Sequence, residues 1–340
     1  TKMSTQSSYK MNDKLGVIMI LIAATGMAMV GTFSRGATKG LLPEDKAVIG
    51  SFLSFGRMTT AMFGFLLIAI ITGKFHDLWK AKVSFSVIMG GVSIGLSLGF
   101  YISSTLMTSI ANAVFLIYTG PLFCAILARI FRKEHISLMA GGFLAMVFVG
   151  MLMTIGIIDW ENGHLSFGLD LSGASAEYPQ KPLGDLFGFL SGVFYGLSMF
   201  FYGYRRDMDS TVRGFWNFVC AASAALVMSI ILRPWHGVAS FTASNWGWAV
   251  ILFIVCGLIA LGSLVVAGRN LVAVKISTIS YWECPVAIFL GVVVWGESMT
   301  VMGTIGGLLI IVGGIGPILF RDKAAAPVEE GDALQEVEAR

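Results

Sequence analysis

The chain has 340 residues, 56% hydrophobic and only 13% charged, with a mean hydropathy of +0.81 and a net charge of +3. A soluble domain carries about a quarter charged residues, so this composition excludes a water-soluble enzyme or scaffold and predicts a polytopic membrane protein. The charge of +3 is too small for a nucleic-acid binder, and no nucleic-acid partner is expected.

Residues 1–13 read as a polar N-terminal tail, and the first apolar run is long enough to span rather than act as a cleaved signal. Residues 14–158 then hold five apolar segments, at 15–34, 49–72, 84–104, 105–128 and 136–157. The third and fourth run almost together, with a turn expected at Ser103-Ser104. An external loop follows at 159–183, and its surroundings are acidic: Asp159, Glu161, Asp170, Glu177 and Asp185 stand against Lys181. Residues 184–320 hold five further segments, at 186–204, 214–232, 246–267, 276–296 and 300–320. Residues 321–340 read as a disordered or loosely helical cytoplasmic tail. The expected fold is all-α, with ten transmembrane helices.

Lys and Arg set the orientation. With both termini cytoplasmic, 17 of these residues lie in inner segments and 5 in outer ones (Arg35, Lys39, Lys46, Lys181, Arg233), while Arg57 lies within a span. The split favours an even number of spans and both termini inside; the expected localisation, taken with the resemblance given below, is a bacterial inner membrane, as a multi-pass protein.

The two halves repeat a plan. "YTGPLFCAILARIFRKEHIS" (Tyr118–Ser137) and "WECPVAIFLGVVVWGESMT" (Trp282–Thr300) each carry a mid-span proline, an apolar run, then Glu and a Ser or Thr three residues on. Both lead into a Gly-rich span. Five spans per copy place the second copy upside down, and inverted repeats are a mark of alternating-access transporters. With the second span around Arg57 and "FLSGVFYGLSMFFYGYRR" opening the second half, the chain resembles the drug/metabolite transporter superfamily in its ten-helix, EamA-type branch. The resemblance covers about 15–320 and implies secondary transport of a small organic metabolite. Two departures stand out. The family often has Glu directly before the second proline, where Cys284 intervenes here, and the Trp-Gly pair usual in the first span is missing. "MVGTFSRGATKGLLP" (Met29–Pro43) is similar to bacterial aromatic-amino-acid exporters, which makes amino-acid export the leading expectation.

Arg57 and Glu283 lie well inside spans, where a charge costs about 2.5–3.5 kcal/mol on insertion scales. Glu283 reads as a substrate-amine or proton site, against a paired acid that locks helix packing. Arg57 reads as a residue that reaches an external interface or bonds carbonyls of neighbouring helices, against a site for a substrate carboxylate. Pro121 and Pro285 would each remove a helical hydrogen bond, freeing the carbonyls of Ile117 and Tyr281, and would bend or break a helix beside a cavity. Helical spacing nominates Asn112 with Thr119, and Ser280 with Glu283, as a polar face. Tyr101, Tyr118, Tyr195, Tyr281 and Trp282 could wall it. Glycines repeat every four residues at 91–99 and 184–196, a pattern for close helix contact. Glu134 and Glu297 begin spans, where a carboxylate suits the helix dipole and sits near lipid headgroups.

Rival classes find less support. "GVSIG" (Gly91–Gly95) matches a hydrolase elbow by letters but lies in an apolar run, and all four histidines fall in expected loops. Cys124, Cys220, Cys256 and Cys284 form no metal or disulfide pattern. No catalytic residue, metal or cofactor is expected. A carrier of another small amine or organic metabolite, importing or exporting, stays open as an alternative, as does a channel. The expected partners are a small-molecule substrate and membrane lipids, in a monomer or homodimer, and a carboxylate at that depth is compatible with proton coupling.

Overall fold

A computed structural model describes residues 12–131, 133, 138–161, 164–167, 178–202, 204, 208–271 and 279–320. The terminal tails and Glu134 lie outside these residues. Helices form wherever the sequence is apolar through many turns, and polar side chains mark their starts. Asn12 caps α1 (Asp13–Ala28), and after Met29 the chain continues as α2 (Val30–Ala37). α3 (Pro43–Ile71) opens on a proline, whose missing N–H costs nothing in a first turn. A short α4 (Phe75–Lys80) leads to α5 (Phe85–Met107).

The turn expected at Ser103-Ser104 lies elsewhere. Both serines are buried inside α5, and their hydroxyls have no partner that would end a helix. The chain reverses at extended Thr108, and the Ser109 side chain caps α6 (Ile110–Ile117) by accepting from the Asn112 N–H at 3.1 Å. α7 (Gly120–Phe131) and α8 (Leu138–Ile155) complete the first half. A two-stranded antiparallel hairpin, β1 (Ile158–Glu161) with β2 (His164–Phe167), interrupts the otherwise helical fold.

The second half begins with α9 (Lys181–Tyr202), five residues earlier than expected. Lys181 and Asp185 pair at 2.6 Å across one turn, so Asp185 is a buried helical residue and not part of an acidic loop. α10 (Ser210–Leu232) is capped by Asp209, whose other oxygen pairs with Lys74. A short α11 (Trp235–Ala239) precedes α12 (Ala243–Ile251), which passes through a π-helical stretch, Leu252–Ile259, into α13 (Ala260–Asn270). α14 (Glu283–Trp295) and α15 (Val301–Leu319) end the described chain.

Among the described residues, seven helical stretches are long and apolar enough to cross a membrane, and three shorter apolar helices accompany them, at Gly141–Ile155, Glu283–Trp295 and Val301–Gly316. Large apolar side chains such as Ile71, Phe85, Ile231 and Val301 are exposed on the outer surface. A folded chain leaves so much apolar surface bare where lipid covers it.

The packing keeps the repeat visible. α3 lies on α10, α8 on α15 and α6 on α14, each pairing equivalent helices of the two halves. α5 packs on α9 and α13 on α1, and exchanging the halves turns one of these contacts into the other. The glycines at 91–99 face α10; in the second stripe Gly184 faces the end of α5, and Gly188, Gly192 and Gly196 face α6 and α7. Both stripes let backbones approach closely.

Candidate functional site

The two mid-span prolines mark complete breaks in helices. Between α6 and α7 the chain turns at Tyr118-Thr119, and Pro121 is the second residue of α7. Before α14 it turns at Tyr281-Trp282, and Pro285 is the third helical residue. A proline in a first turn lacks a donor the helix would not have used there. The Tyr281 carbonyl is therefore not freed as expected, because it accepts from the Cys284 N–H at 3.1 Å.

The two breaks meet. The rings of Tyr118 and Tyr281 lie 5.0 Å apart, tilted by 42°. The Tyr118 hydroxyl stands 2.7 Å from Glu283 Oε2 and 3.1 Å from the Ser280 carbonyl. It has one hydrogen, and the nearer acceptor, Glu283, makes the stronger bond. Glu283 is the first residue of α14, so its carboxylate faces the positive end of that helix. Gly120 makes room for Tyr195 beside the first break: a Cβ there would stand 2.5 Å from Tyr195 Cδ1.

A cavity of about 400 Å³ opens beside these groups. Glu283, Arg57, Tyr101, Tyr118 and Tyr195 all lie on its wall. Arg57 is 0% exposed to solvent. Its Nε donates to the Cys256 carbonyl at 3.2 Å, and Nη2 lies 2.6 Å from Met27 Sδ. Cys256 belongs to the π-helical stretch, whose altered bonding suits a carbonyl that serves a side chain. Arg57 Nη1 and the Tyr101 hydroxyl are buried with no protein partner. Buried polar atoms almost always find partners, and these two are among ten buried side-chain atoms of the described residues without one. Arg57 and Glu283 share the wall but form no ion pair with each other.

The remaining candidates lie off the wall. Ser280 contributes its carbonyl to Tyr118. The Thr119 hydroxyl turns back to the Leu116 carbonyl at 2.6 Å. Trp282 is 49% exposed and reaches the Thr25 hydroxyl on α1 at 3.3 Å. Asn112 joins a different network, donating to the Thr154 carbonyl at 3.2 Å and to Asp185 at 3.4 Å.

That second network binds the helix ends opposite the start of α10. Arg35 pairs with Glu297 at 2.6 Å and donates to the carbonyls of Thr105 and Thr108. Glu297 also accepts from the Ile110 N–H and the Tyr178 hydroxyl. Thr108 donates to Asp185, which holds Lys181. Glu297 is thus a buried, multiply bonded group before Thr300, the cap of α15, and not the headgroup-facing residue the sequence suggests. None of these residues lines the cavity, which extends instead toward Tyr202, Ser210 and Arg213. The ion pairs gather toward one end of the molecule, and the cavity extends toward the other.

Sequence reasoning did not single out Ser210, Arg213 and Asn217. Their three- and four-residue spacing in "STVRGFWNF" was the available signal.

Comparison with known proteins agrees with this architecture. A solved structure, described simply as a crystal structure of a protein, aligns with 93% of this chain and 100% of its own length. Its TM-score is 0.54 at 17% identity, a likeness of fold alone. No curated protein matches the chain. The model of the EamA-like transporter family matches residues 14–156 and again 182–316, one copy in each half. The chain belongs to the EamA-like transporter family, within the drug/metabolite transporter superfamily, and is a multi-pass membrane transporter.

Proposed function

We propose that the protein is a secondary transporter that carries a small organic metabolite by alternating access, with amino-acid export across a bacterial inner membrane as its leading activity. One observation carries the reading: a cavity between two facing helix breaks has a carboxylate, a guanidinium and tyrosines on its wall. A zwitterion suits that wall, with its ammonium at Glu283 and Tyr118 and its carboxylate at the unpartnered Arg57 Nη1. A proton competing for Glu283 would couple cargo to the proton gradient. Ten crossings with both termini in the cytoplasm fit the charge asymmetry. The ion-paired end then faces outward, and the hollow end faces the cytoplasm that supplies an exporter.

A simple amine is the second reading. It requires Glu283 and the tyrosines alone, and Arg57 already holds Cys256 and Met27. Counterflow in vesicles reconstituted with the pure protein separates the two. Amino acids should accelerate exchange of a labelled amino acid, with saturation, while their decarboxylated amines should not. Exchange of a labelled amine accelerated by amines, with no exchange of the labelled amino acid, selects the second reading, and unsaturable flux would mean a channel.

A further inference from the structure

Two neighbouring helices are interrupted side by side. One runs as α1 and α2, parted at Met29, and the other as α12 and α13, parted by the π-helical stretch Leu252–Ile259. α1 lies on α13 and α2 on α12. The interruptions face each other: a Cβ on Gly26 would stand 2.9 Å from Ala260 Cβ and 3.5 Å from the Val255 carbonyl oxygen. Arg57 touches both, with Nη2 2.6 Å from Met27 Sδ and Nε donating to the Cys256 carbonyl at 3.2 Å. Helices bend where their hydrogen-bond ladder is interrupted, and π-turns are such places. Beyond the interruptions α2 and α12 are tied together. The Asn245 amide donates at 3.0 Å to each of the Ala37 and Lys39 carbonyls, at a helix end whose carbonyls need partners. A Cβ on Gly36 would stand 2.6 Å from Trp248 Cδ2, and the rings of Phe33 and Trp248 lie 5.9 Å apart. Toward the rest of the molecule α2 uses polar contacts: Arg35 meets Glu297 and the carbonyls of Thr105 and Thr108.

We infer that α2 and α12 move as one rigid flap, hinged at Met29 and at Leu252–Ile259, which uncovers the ion-paired end when Arg35 leaves Glu297. Asn245 is its positioning residue, because it keeps α2 on α12 while the polar contacts of Arg35 break. Arg57 joins both hinges to the cavity wall. The movement rests on the alternating-access reading, but not on which cargo is carried.

Three cysteine pairs test it, made where Cys124 and Cys220 are serine, since Cys256 and Cys284 are buried. Gly36→Cys with Trp248→Cys ties α2 to α12 inside the flap. Gly31→Cys with Ile110→Cys ties α2 to α6, where a Gly31 Cβ would stand 3.0 Å from Ile110 Cγ1. Phe52→Cys with Trp246→Cys, at rings 6.0 Å apart, ties α12 to α3. Each pair is closed by a disulfide or a short bis-thiosulfonate bridge, confirmed by mass spectrometry. The readout is maleimide labelling of Thr105→Cys, whose carbonyl accepts from Arg35 Nε at 2.8 Å, in the parent and in Glu297→Gln. Closing the Gly31/Ile110 pair or the Phe52/Trp246 pair should slow labelling at least fivefold against the same variant left open. Closing the Gly36/Trp248 pair should leave it within twofold. Asn245→Leu should speed labelling at least threefold, and closing the Gly36/Trp248 pair in that variant should return it to the parental rate. Slowing by the Gly36/Trp248 closure in the parent means that α2 opens away from α12, and indifference to either of the other closures means that one helix of the flap stays still; each result overturns the flap. Failure of the rescue removes Asn245 from its role. Labelling that responds to no closure leaves alternating access standing and sinks the flap alone, whereas a Thr105→Cys that never labels in either background sinks both.

Discussion

Glu283 combines a position at the head of α14 with a bond from Tyr118 and a place on the cavity wall. Glu283→Gln keeps shape and hydrogen bonding but removes charge and titration. We expect a folded, inserted protein whose transport falls at least tenfold or loses its dependence on pH between about 5 and 8, measured by vesicle uptake; normal transport across that range would show that the acid only packs helices. Glu297 cannot serve as a silent control, because it neutralises Arg35 inside the protein. Breaking a buried ion pair by removing one partner costs roughly 3–5 kcal/mol. In Glu297→Gln that cost falls on the closed arrangement, so labelling of Thr105→Cys from outside should rise at least tenfold. Unchanged labelling would mean that the Arg35 network is not what holds this end shut.

Two kinds of irregular helix shape the site. The breaks before α7 and α14 bring polar backbone and two tyrosines to one place at membrane depth, which is tolerated where a cavity receives it. The π-helical stretch supplies the carbonyl that orients Arg57. Pro121→Ala and Pro285→Ala would each restore a donor and favour fusion of the half-helices into one. Both variants should insert at parental levels, judged by membrane abundance, and transport more slowly, with the double variant slowest. Parental transport in all three would mean that the turns at Tyr118-Thr119 and Tyr281-Trp282 are fixed by packing alone.

The whole molecule is two similar halves whose contacts survive their exchange, with ion pairs gathered toward one end and the cavity extending toward the other. The proposed alternating access requires a second state, in which the hollow end closes and the paired end opens. The charge asymmetry predicts which end faces the cytoplasm. Reporter fusions after residue 177 and at the C-terminus should report the exterior and the cytoplasm respectively. The opposite pair of signals would reverse the membrane orientation and, with it, the direction read for export.

The sequence by itself determined the membrane class, the helical segments and the doubled plan, because each is written locally, in hydropathy and in the spacing of proline and glutamate. It also marked Arg57 and Glu283, since a charge in an apolar run is visible without a fold. Tertiary structure decided what those charges touch. Asn112 and Thr119 share a helical face on paper, yet the break at Tyr118-Thr119 separates them, and Asn112 falls to the Asp185 network. Glu297 lies near the end of an apolar run, but the left-handed turn at Gly296 precedes it, and the carboxylate accepts the Ile110 N–H from a segment 187 positions away. Arg213 counts as one more inner positive charge until α10 is seen to bring its stripe to the cavity. Periodicity fixes which residues share a face. Which face meets the cavity depends on helices distant in the chain, and no local pattern encodes that.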